Sequence, residues 1–525
     1  MNKASSGDTI YIDDVNSQPY EECPKSKSKN SFPIQLNKSL SFICPNGIAE
    51  IQCHYSENRV IFEIPENSLG MQTISFISIK FTSSSRVLVN SHNDTRIVIK
   101  RCLFQKNNIA IYIKNKGKCD LLLDNSKFID NWYAGVHGKD CADMMVRILN
   151  TTFLSSPVNL SNGIQRSWKW DQHFKVNVTN SSFFGDTLSM HHNEMQGSLF
   201  QVNCQNASVL TISVSYTTFG NFIGNMKYHE HVSNSGPIFI NDLRRQPNVM
   251  TTIYFNQVIV KNIITAQRST VLLILSPTMS AGSKLTILNC CFANNTRALK
   301  ITGERSNIVN NKNHSQVKIE NTIFTRNYDP GTGWGAAVTL SGGKYDILGC
   351  KFENNYSQNR YITGVVVLED NARVTFEQCR FENTECKYPK NGRALQILSP
   401  ETTNVVFKAK NVFNLRKLQR NQPIIIHTSP YTQSTSFKFG KVFLYGEIEL
   451  KCPEGYKFVN FTENPITKTN KEFQHLEFNC NQCRYKTYSL ERGGVHNKTF
   501  QTIECHDCPR GYCCPPGYCC QSDDE

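Results

Sequence analysis

A short sequence pattern that ends in phenylalanine recurs along this chain and constrains its fold more than any other feature. The clearest copies end at Phe292, Phe324, Phe352 and Phe381, at intervals of 32, 28 and 29 residues. Aliphatic or aromatic residues stand seven and five positions before each phenylalanine, a small or thiol residue stands two positions before it, and asparagine follows two or three positions after it. A fixed pattern at this spacing predicts a solenoid of repeated coils.

The same pattern extends over most of the chain. Earlier copies end at Phe104, Phe128, Phe153, Phe183 and Phe219, and a later copy with altered spacing ends at Phe413. The intervals between the earlier copies vary from 24 to 36 residues. A constant pattern with a variable interval indicates one coil geometry with connecting loops of different lengths.

The residues within each copy alternate with a period of two, which predicts strands rather than helices. Their Ile, Val, Phe and Thr side chains suit a pleated sheet. A second alternating segment follows most copies, for example IAIYIK (109–114) and GVVVLED (364–370). The fixed leucines and near-constant length of a leucine-rich repeat are absent. The predicted fold is therefore all-β, a parallel β-helix solenoid.

This fold predicts an interior column of stacked phenylalanines. Coils in register, about 4.8 Å apart, would place each repeat phenylalanine directly on the next. We expect the asparagine that follows it to lie in the turn, because Asn tolerates a left-handed backbone there. Its amide is expected to bond its counterpart one coil away.

Three regions are predicted along the chain. Residues 1–100 contain degenerate coils, and residues 101–450 form the β-helix with long insertions at 154–250. Residues 451–525 form a separate cysteine-rich module, because the alternation stops there and nine of the 21 cysteines are found there. These are Cys452, Cys480, Cys483, Cys505, Cys508, Cys513, Cys514, Cys519 and Cys520.

The C-terminal cysteines have two interpretations. The CNQC (480–483) and CHDC (505–508) pairs have the spacing of a four-cysteine zinc site, but the crowding of further cysteines around them favours disulfides. In the coils, the cysteines two positions before the repeat phenylalanine are expected to be buried thiols. Cys350 and Cys379 fall on consecutive coils, so a disulfide between them is the alternative.

Two resemblances follow from these residues. The repeat pattern, with the opening segments GDTIYI (7–12) and NKSLSFIC (37–44), resembles the right-handed β-helix of the pectin-lyase-like superfold and of large extracellular proteins built from such coils. The segment from CRYKTYSLERGG to IECHDCPRG resembles the cysteine-rich repeats of ephrin-receptor-like ectodomains. The first resemblance implies a right-handed β-helix over roughly residues 7–450, and for its enzymes a polysaccharide lyase or glycoside hydrolase activity.

The sequence assigns no catalytic, cofactor or metal residue. A hydrolase would need two or three converging carboxylates, and the best pair is Glu353 and Glu382, each directly after a repeat phenylalanine. Lys351 and Arg380 directly precede the same phenylalanines, so we expect a compensated charge ladder instead, which contributes about 0.2–1 kcal/mol per pair. The histidines at 191–192, 229 and 231 lack companions with metal-ligand spacing.

The compartment is inferred from cysteines and glycosylation motifs. The chain has twelve N-x-Ser/Thr motifs, of which ten are candidates for modification, and its cysteine density fits an oxidising environment. The candidates are Asn37, Asn93, Asn150, Asn177, Asn206, Asn294, Asn313, Asn355, Asn460 and Asn497; the other two motifs begin at Asn159 and Asn180. We expect a secreted or cell-surface protein whose signal peptide and any anchor lie outside this sequence. The alternative is a cytosolic protein with reduced cysteines.

The charge and hydropathy of the sequence indicate which classes of partner to expect. The formal charge is +14, with lysines and arginines scattered rather than arranged as a nucleic-acid-binding stripe. No run of 18 apolar residues is present to span a membrane. We therefore expect a non-catalytic adhesion or recognition protein whose partners are extracellular glycans or surface proteins, and neither nucleic acid nor a cofactor. The alternative function is that of a polysaccharide lyase or glycoside hydrolase.

Overall fold

A computed structural model describes most of the coil region. The described residues are 4–13, 19–20, 33–52, 60–66, 70–91, 94–114, 117–139, 143–162, 173–185, 199–204, 207–223, 236–242, 250–265, 270–275, 283–303, 316–331, 335–358, 364–369, 372–383, 385–386, 394–397, 404–408 and 411–414; beyond residue 414 only the backbone of short strands is described. The chain divides into two compact units, unit 1 (Met1–Leu285) and unit 2 (Thr286–Glu525).

Unit 1 contains three long sheets in which every pairing described is parallel and in register. Each coil supplies one strand to each sheet, so neighbours in a sheet are three strands apart along most of the chain. Sheet A consists of β1 (Thr9–Tyr11), β3 (Leu40–Ile43), β6 (Gln72–Ile77), β9 (Thr95–Lys100), β12 (Lys118–Asp124), β15 (Asp143–Leu149), β18 (His173–Thr179), β21 (Val209–Ser215) and β24 (Met250–Asn256). Sheet B consists of β4 (Ala49–Gln52), β7 (Ile79–Thr82), β10 (Leu103–Gln105), β13 (Lys127–Ile129), β16 (Thr152–Leu154), β19 (Ser182–Phe184), β22 (Thr218–Ile223) and β25 (Ile259–Ile264). Sheet C consists of β2 (Ile34–Gln35), β5 (Val60–Ile64), β8 (Arg86–Asn90), β11 (Ile109–Lys114), β14 (Ala134–Lys139), β17 (Val158–Asn162), β20 (Phe200–Cys204), β23 (Ile238–Asp242) and β26 (Leu272–Leu275).

Unit 2 also has one strand per coil in each of three sheets, whose strands in this unit we call D, E and F. A small fourth sheet, G, adds a strand to several coils, so neighbours in sheet D are four strands apart. The strand β27 (Lys284–Leu288) contains the division between the units. Sheet D consists of β30 (Gln316–Glu320), β34 (Lys344–Leu348), β38 (Arg373–Glu377) and β42 (Asn404–Lys408). Sheet E consists of β28 (Cys291–Ala293), β31 (Ile323–Thr325), β35 (Lys351–Glu353), β39 (Arg380–Glu382), β43 (Asn411–Asn414), β45 (Ile448–Lys451), β49 (Gly494–His496) and β50 (Thr499–Gln501). Sheet F consists of β29 (Leu299–Thr302), β33 (Val338–Ser341), β37 (Val366–Glu369), β41 (Leu395–Ile397), β44 (Asn421–Ile426), β47 (Gln474–Gln482) and β46 (Tyr456–Glu463), and sheet G of β32 (Tyr328–Asp329), β36 (Tyr356–Ser357) and β40 (Glu385–Cys386).

The pairing changes from parallel to antiparallel near the C-terminus. Among the strands described, β45 is the last parallel partner in sheet E, and β49 pairs with it antiparallel. Two further antiparallel pairs join β48 (Thr487–Tyr488) to β51 (His506–Asp507) and β52 (Tyr512–Cys513) to β53 (Cys520–Gln521). The side chains of the nine C-terminal cysteines lie outside the described residues, so the disulfide framework predicted there stays a prediction.

The predicted all-β architecture is confirmed. The described residues contain no helix, and hence none long and apolar enough to cross a membrane. Long parallel sheets with one strand per coil fit a parallel β-helix solenoid. The strands of residues 33–100 pair in the same sheets as the later coils of unit 1.

The interior column of phenylalanines, here called the Phe column, is confirmed in both units. In unit 1 the successive ring centroids of Phe104, Phe128, Phe153, Phe183 and Phe219 lie 4.7–4.8 Å apart. In unit 2 those of Phe292, Phe324, Phe352, Phe381 and Phe413 lie 4.6–5.1 Å apart, with interplanar angles of 9° or less. All ten rings are buried. Phe81 stacks on Phe104 at 5.1 Å and extends the column to a coil whose pattern had not been recognised.

The asparagines after the Phe column divide between two positions with different roles. The residue two positions after the phenylalanine has a left-handed backbone in eight of the ten coils, as at Asn294 (φ 55°) and Asn354 (φ 53°). The residue three positions after it is buried wherever it is described, and asparagines at this position form a ladder between coils, as Asn107 with Asn131 and Asn327 with Asn355. Asn327 Nδ2 donates to Asn355 Oδ1 at 2.9 Å and to the carbonyl oxygen of Phe292 at 3.0 Å. The prediction combined in one asparagine two roles that belong to neighbouring residues.

A second ladder lies two positions before the Phe column. In unit 1 the hydroxyl of Ser126 accepts a hydrogen bond from the backbone N–H of Cys102 at 3.1 Å and donates to the carbonyl of Asp124 at 2.9 Å. Thr151 repeats this arrangement one coil later. The small and thiol residues of the repeat therefore satisfy buried backbone groups at the bend between two sheets.

Candidate functional site

A row of aromatic and amide side chains lies on the outer face of sheet C in unit 1. Tyr112 on β11 is aligned with His137 on β14, His137 with Asn159 on β17, and Asn159 with Gln201 on β20. Ile111 and Ile113, which flank Tyr112, are fully buried, so the alternation of the strand directs Tyr112 outward. We call Tyr112, His137, Asn159 and Gln201 the outer row.

The aromatic end of the outer row is closely packed. The rings of Tyr112 and His137 stack at 5.4 Å with an interplanar angle of 10°. Tyr133 contacts the edge of the His137 ring, with centroids 5.5 Å apart. The guanidinium carbon of Arg86 lies 5.0 Å from the centroid of Tyr112. Because β8 and β14 flank β11 on opposite sides, Arg86 covers one face of the Tyr112 ring and His137 covers the other, and Tyr133 meets His137 edge-on. The four side chains form a compact aromatic stack with a cation held at its end by the π electrons of Tyr112.

The electrostatics of this cluster favour a neutral Tyr133. Its pKa is raised, first because burial disfavours the phenolate and then because Tyr112 is close, although Arg86 opposes the shift. A phenol that keeps its proton can donate a hydrogen bond to a ligand oxygen over the whole physiological pH range.

Two lysines stand beside the aromatic cluster. Lys114 follows Tyr112 by two residues, Lys139 follows His137 by two residues, and the two lysines are opposite each other in the sheet. Both side chains are exposed. Trp132, which is 59% exposed, is the neighbour of Tyr133 in the sequence.

Gly138 allows strand β14 to pack closely against side chains of the interior. Gly138 lies between His137 and Lys139 on β14, and a Cβ atom there would come within 3.0 Å of the Met144 side chain and 3.3 Å of Leu160. The glycine therefore leaves room for interior side chains directly beneath the outer row.

The carboxylates singled out in the sequence are paired with cations. Lys351 Nζ lies 3.0 Å from Glu353 and 3.4 Å from Glu382, and Arg380 lies 2.7 Å from Glu382. Hydrogen bonding to Glu353, opposed by burial, raises the pKa of Lys351. This is the compensated ladder that the sequence predicted. The carboxylate of Asp120 is likewise held by both oxygens at 2.8 Å from Arg147.

Unit 2 contains a buried ion pair that the sequence did not reveal. Arg297 and Asp329 are both fully buried, with Nε and Oδ1 3.9 Å apart, and Ser357 donates to the other oxygen of Asp329 at 3.2 Å. Burial lowers the pKa of Arg297 to about 10, although Asp329 opposes the shift. Because no solvent reaches this pair, we assign it to the structure of the coil rather than to ligand binding.

The candidate glycosylation sites differ in exposure. Asn37, Asn150 and Asn294 are exposed, and Asn177 is half-buried. Asn355 is fully buried and its amide donates to the carbonyl of Phe324 at 2.8 Å, so the folded protein has no room for a glycan there. The candidates Asn93, Asn206, Asn313 and Asn497 lie outside the described residues, and so does the side chain of Asn460. The tryptophans and histidines of the insertions, at 168, 170, 191–192, 229 and 231, are also outside them.

The described cysteines of the coils are buried thiols, as predicted for Cys102, Cys290, Cys350 and Cys379. The alternative of an existing disulfide between Cys350 and Cys379 is not observed. In the part of the chain that is described, no group of three or more His, Cys, Asp or Glu side chains is arranged to hold a metal ion. Comparison with protein-family models, with curated proteins and with solved structures found no match for this chain.

Proposed function

We propose that this chain is a non-catalytic recognition protein that binds a glycan along the outer row of sheet C. The observation that carries the proposal is the alignment of Tyr112, His137, Asn159 and Gln201 on four consecutive strands. Within the same proposal, the solenoid is a right-handed β-helix of the pectin-lyase-like superfold from an extracellular or cell-surface protein. Its C-terminal residues form a disulfide-rich, ephrin-receptor-like module.

The chemistry of the row suits a carbohydrate. The outward edges of the stacked Tyr112 and His137 rings offer a border that is partly apolar and partly polar to a sugar. The side-chain amide of Gln201, which is half-buried, can donate to and accept from hydroxyl groups, whereas Asn159 is only 6% exposed and lies beneath the surface of the row. Four strands at about 4.8 Å spacing make the row about 14 Å long, which suits an oligosaccharide rather than a single sugar.

The charge around the row favours an acidic glycan. Lys114 and Lys139 are opposite each other in the sheet, so a carboxylate or sulfate group placed beside the rings would lie close to two ammonium groups. The net charge of +14 also attracts polyanions over longer distances.

Binding measurements with matched variants test the proposal. Acidic and neutral oligosaccharides are titrated into the full chain by calorimetry, and the Tyr112→Ala variant is compared with Tyr254→Ala, which removes a half-buried tyrosine from the outer face of sheet A. We expect Tyr112→Ala to weaken binding about tenfold, since one aromatic contact contributes about 0.5–1.5 kcal/mol. Equal affinity for the two variants, or binding of no oligosaccharide, would overturn the assignment.

A turnover assay on the same oligosaccharides separates recognition from the alternative lyase or hydrolase activity. If a bound oligosaccharide is recovered at its full length after prolonged incubation, recognition is supported. If it is shortened by the purified chain, and Tyr133→Phe or His137→Ala abolishes the shortening, the protein is an enzyme and the proposal of a non-catalytic function is wrong.

A further inference from the structure

Cys350 and Cys379 occupy neighbouring coils at the position two residues before the Phe column. The next residues, Lys351 and Arg380, are register partners, and the backbone N–H of Arg380 donates to the carbonyl of Cys350 at 2.9 Å. The two cysteines therefore follow each other by one strand spacing. Both are buried, at 1% and 0% exposure.

This juxtaposition of two thiols is unusual within its own column. In the described residues, the other neighbours identified for these cysteines carry no thiol. Cys102 lies between Ile79 and Ser126, Thr322 lies between Cys290 and Cys350, and Asn411 follows Cys379.

We propose that Cys350 and Cys379 form a reversible disulfide that cross-links two consecutive coils of unit 2. Adjacent strands place their Cα atoms about 4.8 Å apart, and disulfides bridge Cα separations of roughly 4.4–6.8 Å. To join, the side chains rotate away from backbone carbonyls: the Cys350 sulfur lies 3.4 Å from Leu348 and 3.5 Å from Ile319. The Cys379 sulfur lies 3.5 Å from Glu377 and 3.3 Å from Ile347. Thiols are weak hydrogen-bond donors, so these contacts are readily given up.

The oxidant is a small disulfide such as glutathione disulfide, and the reaction proceeds by two exchanges. The thiolate of Cys379 attacks one glutathione sulfur, which forms a mixed disulfide and releases one glutathione thiolate that takes up a proton. The thiolate of Cys350 then attacks the Cys379 sulfur and releases the second glutathione. Two protein thiols are oxidised to one disulfide, while one glutathione disulfide is reduced to two glutathione molecules.

The surroundings of the two thiols determine which of them attacks glutathione disulfide first, and they make the reaction slow. Burial raises the pKa of Cys350 well above its ordinary value. Burial is the largest influence on Cys379 and acts in the same direction, but hydrogen bonds from the Cys350 thiol and from the backbone together outweigh it, so the pKa of Cys379 is lowered. Cys379 is therefore the first nucleophile, and the rate should rise with pH and with local opening of the coil.

Peptide mapping of the full chain tests the proposal. The reduced protein is equilibrated with glutathione disulfide below its unfolding temperature, alkylated and digested without reduction. We expect the peptide that contains Cys350 to be joined to the peptide that contains Cys379, a link that dithiothreitol reverses. The thermal midpoint should rise by roughly 5–10 °C, because the cross-link closes a loop of about 30 residues.

Two variants serve as controls. Cys379→Ser should abolish the link and leave Cys350 alkylated or glutathionylated; serine is accommodated at the equivalent positions Ser126 and Ser181. Thr322→Cys places a further thiol next to Cys350 and should yield a new link in the same column. If Cys350 and Cys379 are both recovered alkylated while the half-buried Cys291 has reacted, or if each is linked to a different cysteine, the proposal is wrong.

Discussion

Replacing Phe324 by alanine should destabilise unit 2 far more than replacing its neighbour Ile323 on the same strand. Phe324 is fully buried and its ring stacks between Phe292 at 5.0 Å and Phe352 at 5.1 Å. Ile323 points outward and is 41% exposed. The two positions therefore differ in burial and stacking but share strand, coil and backbone pairing.

The expected magnitudes follow from this difference. Truncating a buried phenylalanine costs about 3–5 kcal/mol through lost burial and the cavity that remains. Two lost ring contacts place Phe324→Ala at the upper end of that range. Ile323→Ala should cost about 1 kcal/mol, because much of its side chain is already in water. For a unit of this size the first loss corresponds to a fall in melting temperature of about 10–15 °C.

Equilibrium unfolding in guanidinium chloride, monitored by circular dichroism, measures both variants. The midpoint of Phe324→Ala should fall several times further than that of Ile323→Ala, with a similar slope. Similar losses for the two variants would mean that the alternation of β31 does not direct Phe324 into the core, and the stacked column would have to be abandoned for this strand.

Three further predictions concern buried polar groups. Asn327→Ala should cost about 1–3 kcal/mol in unfolding experiments, because it leaves the carbonyl of Phe292 without its side-chain donor; a loss below about 0.5 kcal/mol would contradict the ladder. The hydroxyl of Tyr345 donates to the carbonyl of Ser341 at 2.9 Å, and burial raises the pKa of this phenol. The neutral phenol therefore stabilises the folded protein fully below the unfolded pKa of 10.0, and this stabilisation is lost as the pH rises towards the folded pKa. Denaturant midpoints measured from pH 9 to 12 should therefore fall less steeply for Tyr345→Phe than for the parent chain, and equal slopes would refute the assignment. When the chain is expressed through a secretory pathway, glycopeptide mass spectrometry should find Asn355 unmodified, and a glycan there in folded protein would contradict its burial.

The Phe column could be predicted from sequence because it obeys a strict local rule. Positions seven, five and two before each phenylalanine belong to one pair of strands and one bend, so their spacing does not depend on loop length. Phe81 shows the limit of that rule: its coil has Ile79 where other coils have a small or thiol residue, and the copy was not recognised although Phe81 stacks on Phe104.

The outer row could not be predicted from sequence, because the connection between each repeat phenylalanine and the following strand of sheet C varies in length. Tyr112 follows Phe104 by eight residues and His137 follows Phe128 by nine, whereas Gln201 follows Phe183 by eighteen. The strand register of sheet C aligns these residues, and no fixed offset in the sequence expresses that register. The ion pair of Arg297 and Asp329 was missed for a related reason, since the small sheet G has only two-residue strands.

Asn355 illustrates how one residue can satisfy two sequence patterns. It opens an N-x-Ser motif and also stands three positions after Phe352, where the coil needs a buried amide. The motif describes only three consecutive residues, whereas the position in the ladder depends on the coils before and after. The environment of the side chain therefore decides between the two interpretations.

The central claim is that consecutive coils stack in register around the Phe column, and a crystallographic electron-density map of the chain tests it most directly. The account predicts that the rings of Phe324, Phe352 and Phe381 follow one another at centroid distances of 5.1 and 4.7 Å, with interplanar angles below 10°. Density that places these rings in different cores, or separates two of them by more than one strand spacing, would contradict it.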